Sequence, residues 1–397
     1  MGGLNKMKLR LMGIVSCLCG LLALFLFVAW TVGGRRPCST MLLSAQSLAT
    51  GENLLIFQGT EYNDWAVARG RKGIFIYDLN ARKLVYWLPL EGGQSVAWNS
   101  YLSGRLLVQD PEFDKICDVN VEGRVSGQYS VWKVPYFFSP AGDRLAFIEN
   151  NRAYIVNLTE DQPQEIALAG YDAVDLSWTP DGASLLLELV EAGRGRNRDL
   201  ISGEPFTLAS ATSDGLQVTF WPQEMKQLLP TQRGRFEMAT WSADGKWIML
   251  SQTAEQTHYL TAFPVADPEQ LVTTFSRYQR VGPGSWAPDR HVAAFEFSGD
   301  WGTRIALWNV ETDEIEAFVP EGEPGGVWSW IHSLTWISDH EMVVVGKLWD
   351  DPRLPLYGDN IVTEGLYLVD LTTEEVTLLT DHYFVDLEKL TYWGRRR

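Results

Sequence analysis

The sequence predicts an all-β chain folded as a seven-bladed propeller, and three observations carry the prediction. First, a short strand ending in an aromatic, a tight turn and an apolar strand recur along the chain. The clearest copy is Trp241-Ser242-Ala243-Asp244-Gly245-Lys246-Trp247-Ile248-Met249-Leu250. Near copies begin at Phe138, Trp178 and Trp286, and looser ones at Trp98 and Trp336. Second, those aromatics are spaced by 40, 40, 63, 45 and 50 residues, the period of propeller blades. Third, the two ends of the repeat region complement each other. Gly51–Phe57 resembles the second half of the motif, and Leu390–Trp393 resembles its first strand. Pairing them closes the ring and removes both sheet edges. Six blades follow if the unit near Trp98 is misread; eight is the other alternative.

Taken in order, residues 1–10 carry Lys6, Lys8 and Arg10, and 11–34 contain no charge. About 20 apolar residues at 1.5 Å rise span a bilayer core. The run is longer than a signal-peptide core and ends without a clear cleavage site, so it reads as an uncleaved transmembrane anchor. Basic residues before it slightly outnumber Arg35 and Arg36 after it, which places the body outside the cytoplasm. Residues 35–50 are a linker, and 51–397 are the propeller.

Within the body, apolar pairs of short runs read as the third and fourth strands of blades. Four open at Ile74, Ala153, Arg304 and Gly365, with weaker ones near Ile116, Leu216 and His258. Turn chemistry supports the motif: Pro presets φ, Asp bonds nearby backbone, and Gly takes φ > 0. Motif turns and hairpin turns then share one face. Long segments 58–72, 190–206, 274–283, 319–332 and 347–364 fall on the other, where function on a rigid scaffold usually sits.

Composition excludes several classes. The net charge is −17, and residues 1–36 hold five basic residues and no acid, so the remainder carries −22. Such a body repels nucleic acid and anionic lipid. Seventeen Trp suit the wedge between blades. Cys38 and Cys117 can form a disulfide in an oxidising compartment. No Gly-x-Ser-x-Gly elbow or His-Glu-x-x-His motif exists; His340-Glu341 has Val344 where the second His belongs. Gly346-Lys347 lacks the glycine spacing of a phosphate loop. Asp118-x-Asn120-x-Glu122-Gly123 has Tyr129 where a calcium loop closes with Glu, and reads as a hairpin turn. No cofactor, metal site or catalytic residue is predicted.

The aromatic and its small-polar, Pro-or-Ala, Asp-Gly turn at Phe138, Trp178, Trp241 and Trp286 resemble the TolB-type propeller repeat. WD repeats fit less well, since the one Trp-Asp pair, Trp349-Asp350, lacks a Gly-His partner. The resemblance implies a protein- or peptide-binding body, often outside the bacterial cytoplasm. Six soluble blades are the family's pattern, from which an anchored, seven-bladed chain departs.

Two groups of residues are candidate recognition sites. Arg194, Arg196, Arg198, Arg233, Arg235, Arg277 and Arg280 fall in long-face segments of the fourth and fifth blades, where guanidinium groups would take carboxylates or phosphates. Trp65, Trp301, Trp328, Trp330, Trp349 and Tyr357 fall in long-face segments of blades six, seven and one, and would suit a peptide, protein or sugar. The alternative for both is structural: solvated loops and inter-blade packing. The expected function is a membrane-anchored binding or scaffold module acting on a protein or peptide partner. An enzyme of lyase or glycosidase type with its site in the central funnel, and a purely structural envelope protein, are the alternatives.

Overall fold

The computed structural model describes residues 53–62, 71–89, 95–100, 105–110, 115–120, 125–130, 136–158, 160, 162–193, 206–221, 235–254, 257–277, 284–299, 302–318, 328–348, 364–380 and 382–393. The expected anchor 11–34, its flank 1–10 and the linker 35–50 lie outside them. Among the described residues no helix is long and apolar enough to cross a membrane.

Among the described residues every element is a strand, and every pairing of strands is antiparallel. The first four-stranded sheet joins the two ends of the body: β28 (Tyr383–Trp393), β1 (Leu54–Tyr62), β2 (Arg71–Asp78) and β3 (Lys83–Pro89). Leu54 faces Trp393, Leu55 faces Tyr392 and Ile56 faces Thr391, the closure predicted from the sequence. The second sheet is β4 (Ser95–Ser100) to β7 (Val125–Ser130), through β5 (Arg105–Asp110) and β6 (Lys115–Asn120). The third contains β8 (Tyr136–Phe138), β9 (Arg144–Glu149), β10 (Arg152–Asn157) and β11 (Gln164–Glu165). The fourth contains β12 (Tyr171–Trp178), β13 (Ser184–Glu191), β14 (Phe206–Thr212) and β15 (Val218–Phe220), and the fifth β16 (Arg235–Trp241), β17 (Trp247–Ala254), β18 (Thr257–Pro264) and β19 (Val272–Arg277). An eight-stranded sheet follows. It consists of β20 (Ser285–Trp286), β21 (Val292–Gly299), β22 (Gly302–Asn309) and β23 (Glu314–Phe318), then β24 (Trp328–Trp336), β25 (Glu341–Leu348), β26 (Gly365–Asp370) and β27 (Glu375–Leu378). Its two four-stranded halves meet at a single residue pair, Thr303 and Trp328.

Apolar clusters run between successive four-stranded runs and close the circle. Leu107 of β5 packs with Phe138, Leu145 and Phe147 of the next run. Further clusters join β9 and β10 to β13, then β13 to β17, then β17 and β18 to β21 and β22. Two more join β21 and β22 to β24 and β25, and β25 and β26 to β1 and β2. Contact between β28 and β4 completes the ring. Strand periodicity explains the sequence of each second strand. In β13, Leu185, Leu187 and Leu189 pack to one side and Leu186 and Val190 to the other. Met342 and Val344 of β25 face one neighbour, while Val343 and Val345 face the next. Both faces are buried, so these strands read as continuous apolar runs.

The repeated motif has one physical basis. Ser242 Oγ donates to Asp244 Oδ1 at 2.7 Å and accepts from the Trp247 amide at 2.9 Å. Thr179 does the same with Asp181 and the Ser184 amide. Gly245 and Gly182 hold φ of 70° and 68°, which only Gly adopts without strain. The same turn recurs at Thr212-Ser213-Asp214-Gly215 between β14 and β15, where Thr212 Oγ1 donates to Asp214 at 2.6 Å. Leu216 therefore sits in a turn. The hairpin expected to open near it instead begins at Phe206, because the seven-residue β14 pairs along β13.

The motif aromatics act between runs. Trp178 Nε1 donates to the Phe137 carbonyl at 2.9 Å, Trp241 Nε1 to Ser177 Oγ at 3.2 Å, Trp286 Nε1 to the Thr240 carbonyl at 3.4 Å, and Trp336 Nε1 to the Ser285 carbonyl at 2.8 Å. Each acceptor belongs to the residue just before the preceding motif aromatic. The indole thus fills the wedge with its ring and ties to the unit before it with its N–H.

Candidate functional site

Strand direction sorts the connections. Motif turns and hairpin turns lie on one face, and the longest connections lie on the other: Leu348 to Gly365, Glu191 to Phe206, Phe220 to Arg235 and Phe318 to Trp328. The third of these was not anticipated. Strands also take up parts of the expected long segments, since β1 runs to Tyr62, β19 to Arg277 and β24 starts at Trp328.

Where the ring closes, the long-connection ends of β1, β24, β25, β26 and β28 bring five titratable side chains together. Glu61 and Glu364 are 1% and 2% exposed. Glu364 Oε1 lies 2.8 Å from His332 Nδ1, and Glu61 Oε1 is bonded to His382 Nδ1. Both imidazoles are partly exposed, at 40%. Backbone pairing places the two acids on either side of one residue: Glu61 faces Phe384 across β1 and β28, and Glu364 bridges Phe384 on its other edge. Lys347 joins them. It shares the alternation of Val343 and Val345, which face β1, and it is 6% exposed. A carboxylate at Nδ1 fixes the orientation of an imidazole. Among the described residues, no group of three or more His, Cys, Asp or Glu is gathered to hold a metal.

The predicted aromatics separate here. Trp328 lies in β24 and not in a loop. It is 1% exposed, with its ring 4.9 Å from Tyr367 in an edge-on contact. Close approach explains this, for a Cβ on Gly346 would stand 2.5 Å from the Trp330 carbonyl and 3.3 Å from the Trp328 ring. Trp328 is therefore a packing residue. Trp330 also lies in β24, opposite Lys347. Trp65, Trp301, Trp349 and Tyr357 lie outside the described residues.

Of the arginines, Arg235 opens β16 and Arg277 ends β19, both at the long-connection end of one sheet. Three strand spacings separate them, roughly 14 Å. Arg194, Arg196, Arg198, Arg233 and Arg280 lie outside the described residues, as does Cys38. Cys117 is buried in β6 and disulfide-bonded, with its partner outside the described residues.

Sequence reasoning missed the closing cluster. Glu61 and His382 are 321 residues apart, and nothing local marks either. Lys347 carried the one available signal: a charge ending the apolar run Met342–Val345.

The opposite face carries its own features. A groove of about 630 Å³ between the motif turns of the fourth and fifth sheets is lined by Trp221, Trp241, Phe220, Pro180 and Asp181. Beside it, His291 bridges two acids, with Nδ1 2.6 Å from Glu311 and Nε2 3.0 Å from Asp244. Burial opposes charge on His291, but hydrogen bonds to Glu311 and Asp244 outweigh it and raise the pKa above 6.5. Burial likewise opposes charge on Asp244; bonds from Ser242, Lys246 and His291 hold its carboxyl far below the usual 3.8. A carboxylate at each nitrogen favours the imidazolium form, in which both nitrogens donate. Its contribution is fully present below the unfolded value of 6.5 and is lost as pH rises through the folded value. Asp244's contribution is present above 3.8 and is lost only as pH falls through its depressed value. The expected result is that His291→Gln lowers Tm at pH 5.5 and that the difference shrinks by pH 9, as read by thermal melts across that range.

No protein-family model and no curated protein matches the sequence. Similar solved structures include an oligogalacturonate lyase in complex with manganese, with 12% identity, 83% of this chain and 85% of that one covered, and a TM-score of 0.52. An oligogalacturonate lyase from Vibrio parahaemolyticus matches at 12% identity over 83% of this chain and 86% of that one, with a TM-score of 0.51. TolB from Acinetobacter baumannii, whose repeat the sequence resembles, matches at 12% identity over 86% of this chain and 67% of that one, with a TM-score of 0.41. At these identities the shared property is the fold, which with the closed ring of antiparallel sheets makes this chain a β-propeller.

Proposed function

We propose that the chain is a seven-bladed, membrane-anchored propeller that binds a protein or peptide partner through its long-connection face. Each four-stranded run is one blade, the two halves of the eight-stranded sheet counting separately because one residue pair joins them. The observation that carries the binding role is the asymmetry of the connections. No connection on the motif-turn face is longer than that from Pro264 to Val272, while Leu348 to Gly365 and the other longest ones start and end at the opposite face. A rigid ring with one variable side suits recognition. Residues 11–34 supply the anchor, and the disulfide at Cys117 suits a body outside the cytoplasm.

The test is capture from detergent-solubilised membranes with the full chain as bait. Arg233→Glu with Arg235→Glu should abolish capture of a partner that Lys246→Glu, on the motif-turn face, leaves intact. Equal capture by all three proteins would overturn the reading. The paired Glu61–His382 and Glu364–His332 favour a second reading, an enzyme of lyase or glycosidase type. A carboxylate-oriented imidazole is the arrangement of a general base. Turnover of a polysaccharide that is lost in both His332→Gln and His382→Gln would establish it.

A further inference from the structure

Two hydrogen-bond donors stand opposite each other at the long-connection end of β24 and β25, and neither has an acceptor among the described residues. Trp330 Nε1 is buried and unpaired. Lys347, its cross-strand partner, is 6% exposed and has no hydrogen-bond or ion-pair partner among the described residues. Directly opposed side chains in an antiparallel pair have Cβ atoms about 5 Å apart. Continuing the Gly346–Gly365 register by one residue places Lys347 beside Glu364, yet no ion pair joins them, and Glu364 is bonded to His332 instead. A buried indole N–H without an acceptor is costly, and native structures rarely keep one without a use; the Lys347 ammonium at the end of its buried stem is the donor beside it.

We infer that Trp330 and Lys347 form the floor of a carboxylate-binding site that receives an acidic group of the partner. Both side chains are donors only, so the occupant must bring acceptors; a cation or an apolar group would leave both unsatisfied. The surrounding charges select a monoanion. Lys347 brings one positive charge beside two buried acids, Glu61 and Glu364. A single carboxylate neutralises it, whereas a phosphate dianion would add repulsion from both buried acids. Its two oxygens accept one bond from Nζ and one from Nε1.

This inference rests on the long face being the binding face, and the experiment separates the two. The full chain in detergent is titrated by calorimetry with N-acetylglutamate, N-acetylglutamine, inorganic phosphate and a short capped peptide carrying one glutamate. N-acetylglutamate and the peptide should bind, and the glutamine compound and phosphate should not. The peptide binding more tightly than the free acid identifies the carboxylate as part of a polypeptide; equal affinity identifies a small acid. Lys347→Met, similar in length and without charge, should weaken carboxylate binding by at least about tenfold. Trp330→Phe, which keeps an aromatic ring and loses the donor, should weaken it less, and carries the test if Lys347→Met does not fold. Undiminished binding in Lys347→Met, equal binding of the glutamine compound, or no binding of either carboxylate would overturn the site. Partner capture that survives Lys347→Met would sink this inference alone. Carboxylate binding without arginine-dependent capture would sink the partner reading alone.

Discussion

Ending the chain after Thr380 should abolish cooperative folding. The deletion removes β28, which pairs with β1 from Leu54–Trp393 to Tyr62–Tyr383. It also strips Phe384 and Leu390 from the cluster between β25 and β1. What remains is an open ring with an unpaired edge along β1, next to the apolar residues Leu55 and Phe57. Exposed edges of that kind pair with other chains, so the truncated protein should elute as aggregate in size-exclusion chromatography. Its thermal melt should lose the sharp transition of the full chain, and a peptide of residues 381–397 added during refolding should restore part of it. A truncated protein that stayed monodisperse and melted sharply would show that the ring does not depend on its last strand.

Replacing Phe384 with Ala tests the same seam at a single side chain. Phe384 is fully buried, and its ring meets Phe57 and Phe75 edge-on at 5.2 Å. Removing a buried phenyl group costs about 3–5 kcal/mol, part from transfer and part from the cavity left behind. Ile315, 46% exposed, is the control, since surface truncations usually stay within about 0.5 kcal/mol. Urea denaturation should show Phe384→Ala unfolding at a much lower midpoint with an unchanged slope, and Ile315→Ala close to the parent.

The fold was legible because its determinants are local. Ser242, Asp244 and Gly245 make their turn among themselves, and the alternation of Leu185 to Leu189 reports a strand buried on both sides. Closure could be inferred because Leu390–Trp393 repeats a pattern seen complete at Trp336. The candidate site was not legible in the same way. Glu61 and Glu364 each look like one acid among fifty, and only their burial and imidazole partners set them apart. Trp328 misled for a related reason. Composition does not tell an aromatic at the start of an inner strand from one in a loop, and the deciding fact, the close approach of Gly346 to the Trp328 ring, belongs to another strand. Leu216 shows the limit of hairpin signals, because the Thr212 turn chemistry marks the bend but not which strands flank it.

The tryptophan ladder has a consequence for how such a chain can change in size. The units of Trp178, Trp241 and Trp286 each bring an indole donor for the predecessor and an acceptor for the successor, and Trp336 brings the donor. A tandem copy of one unit would therefore arrive with both halves of its attachment already encoded. Gain or loss of whole units needs no compensating substitution at those junctions, whereas loss of part of a unit strands a donor on one side and an acceptor on the other.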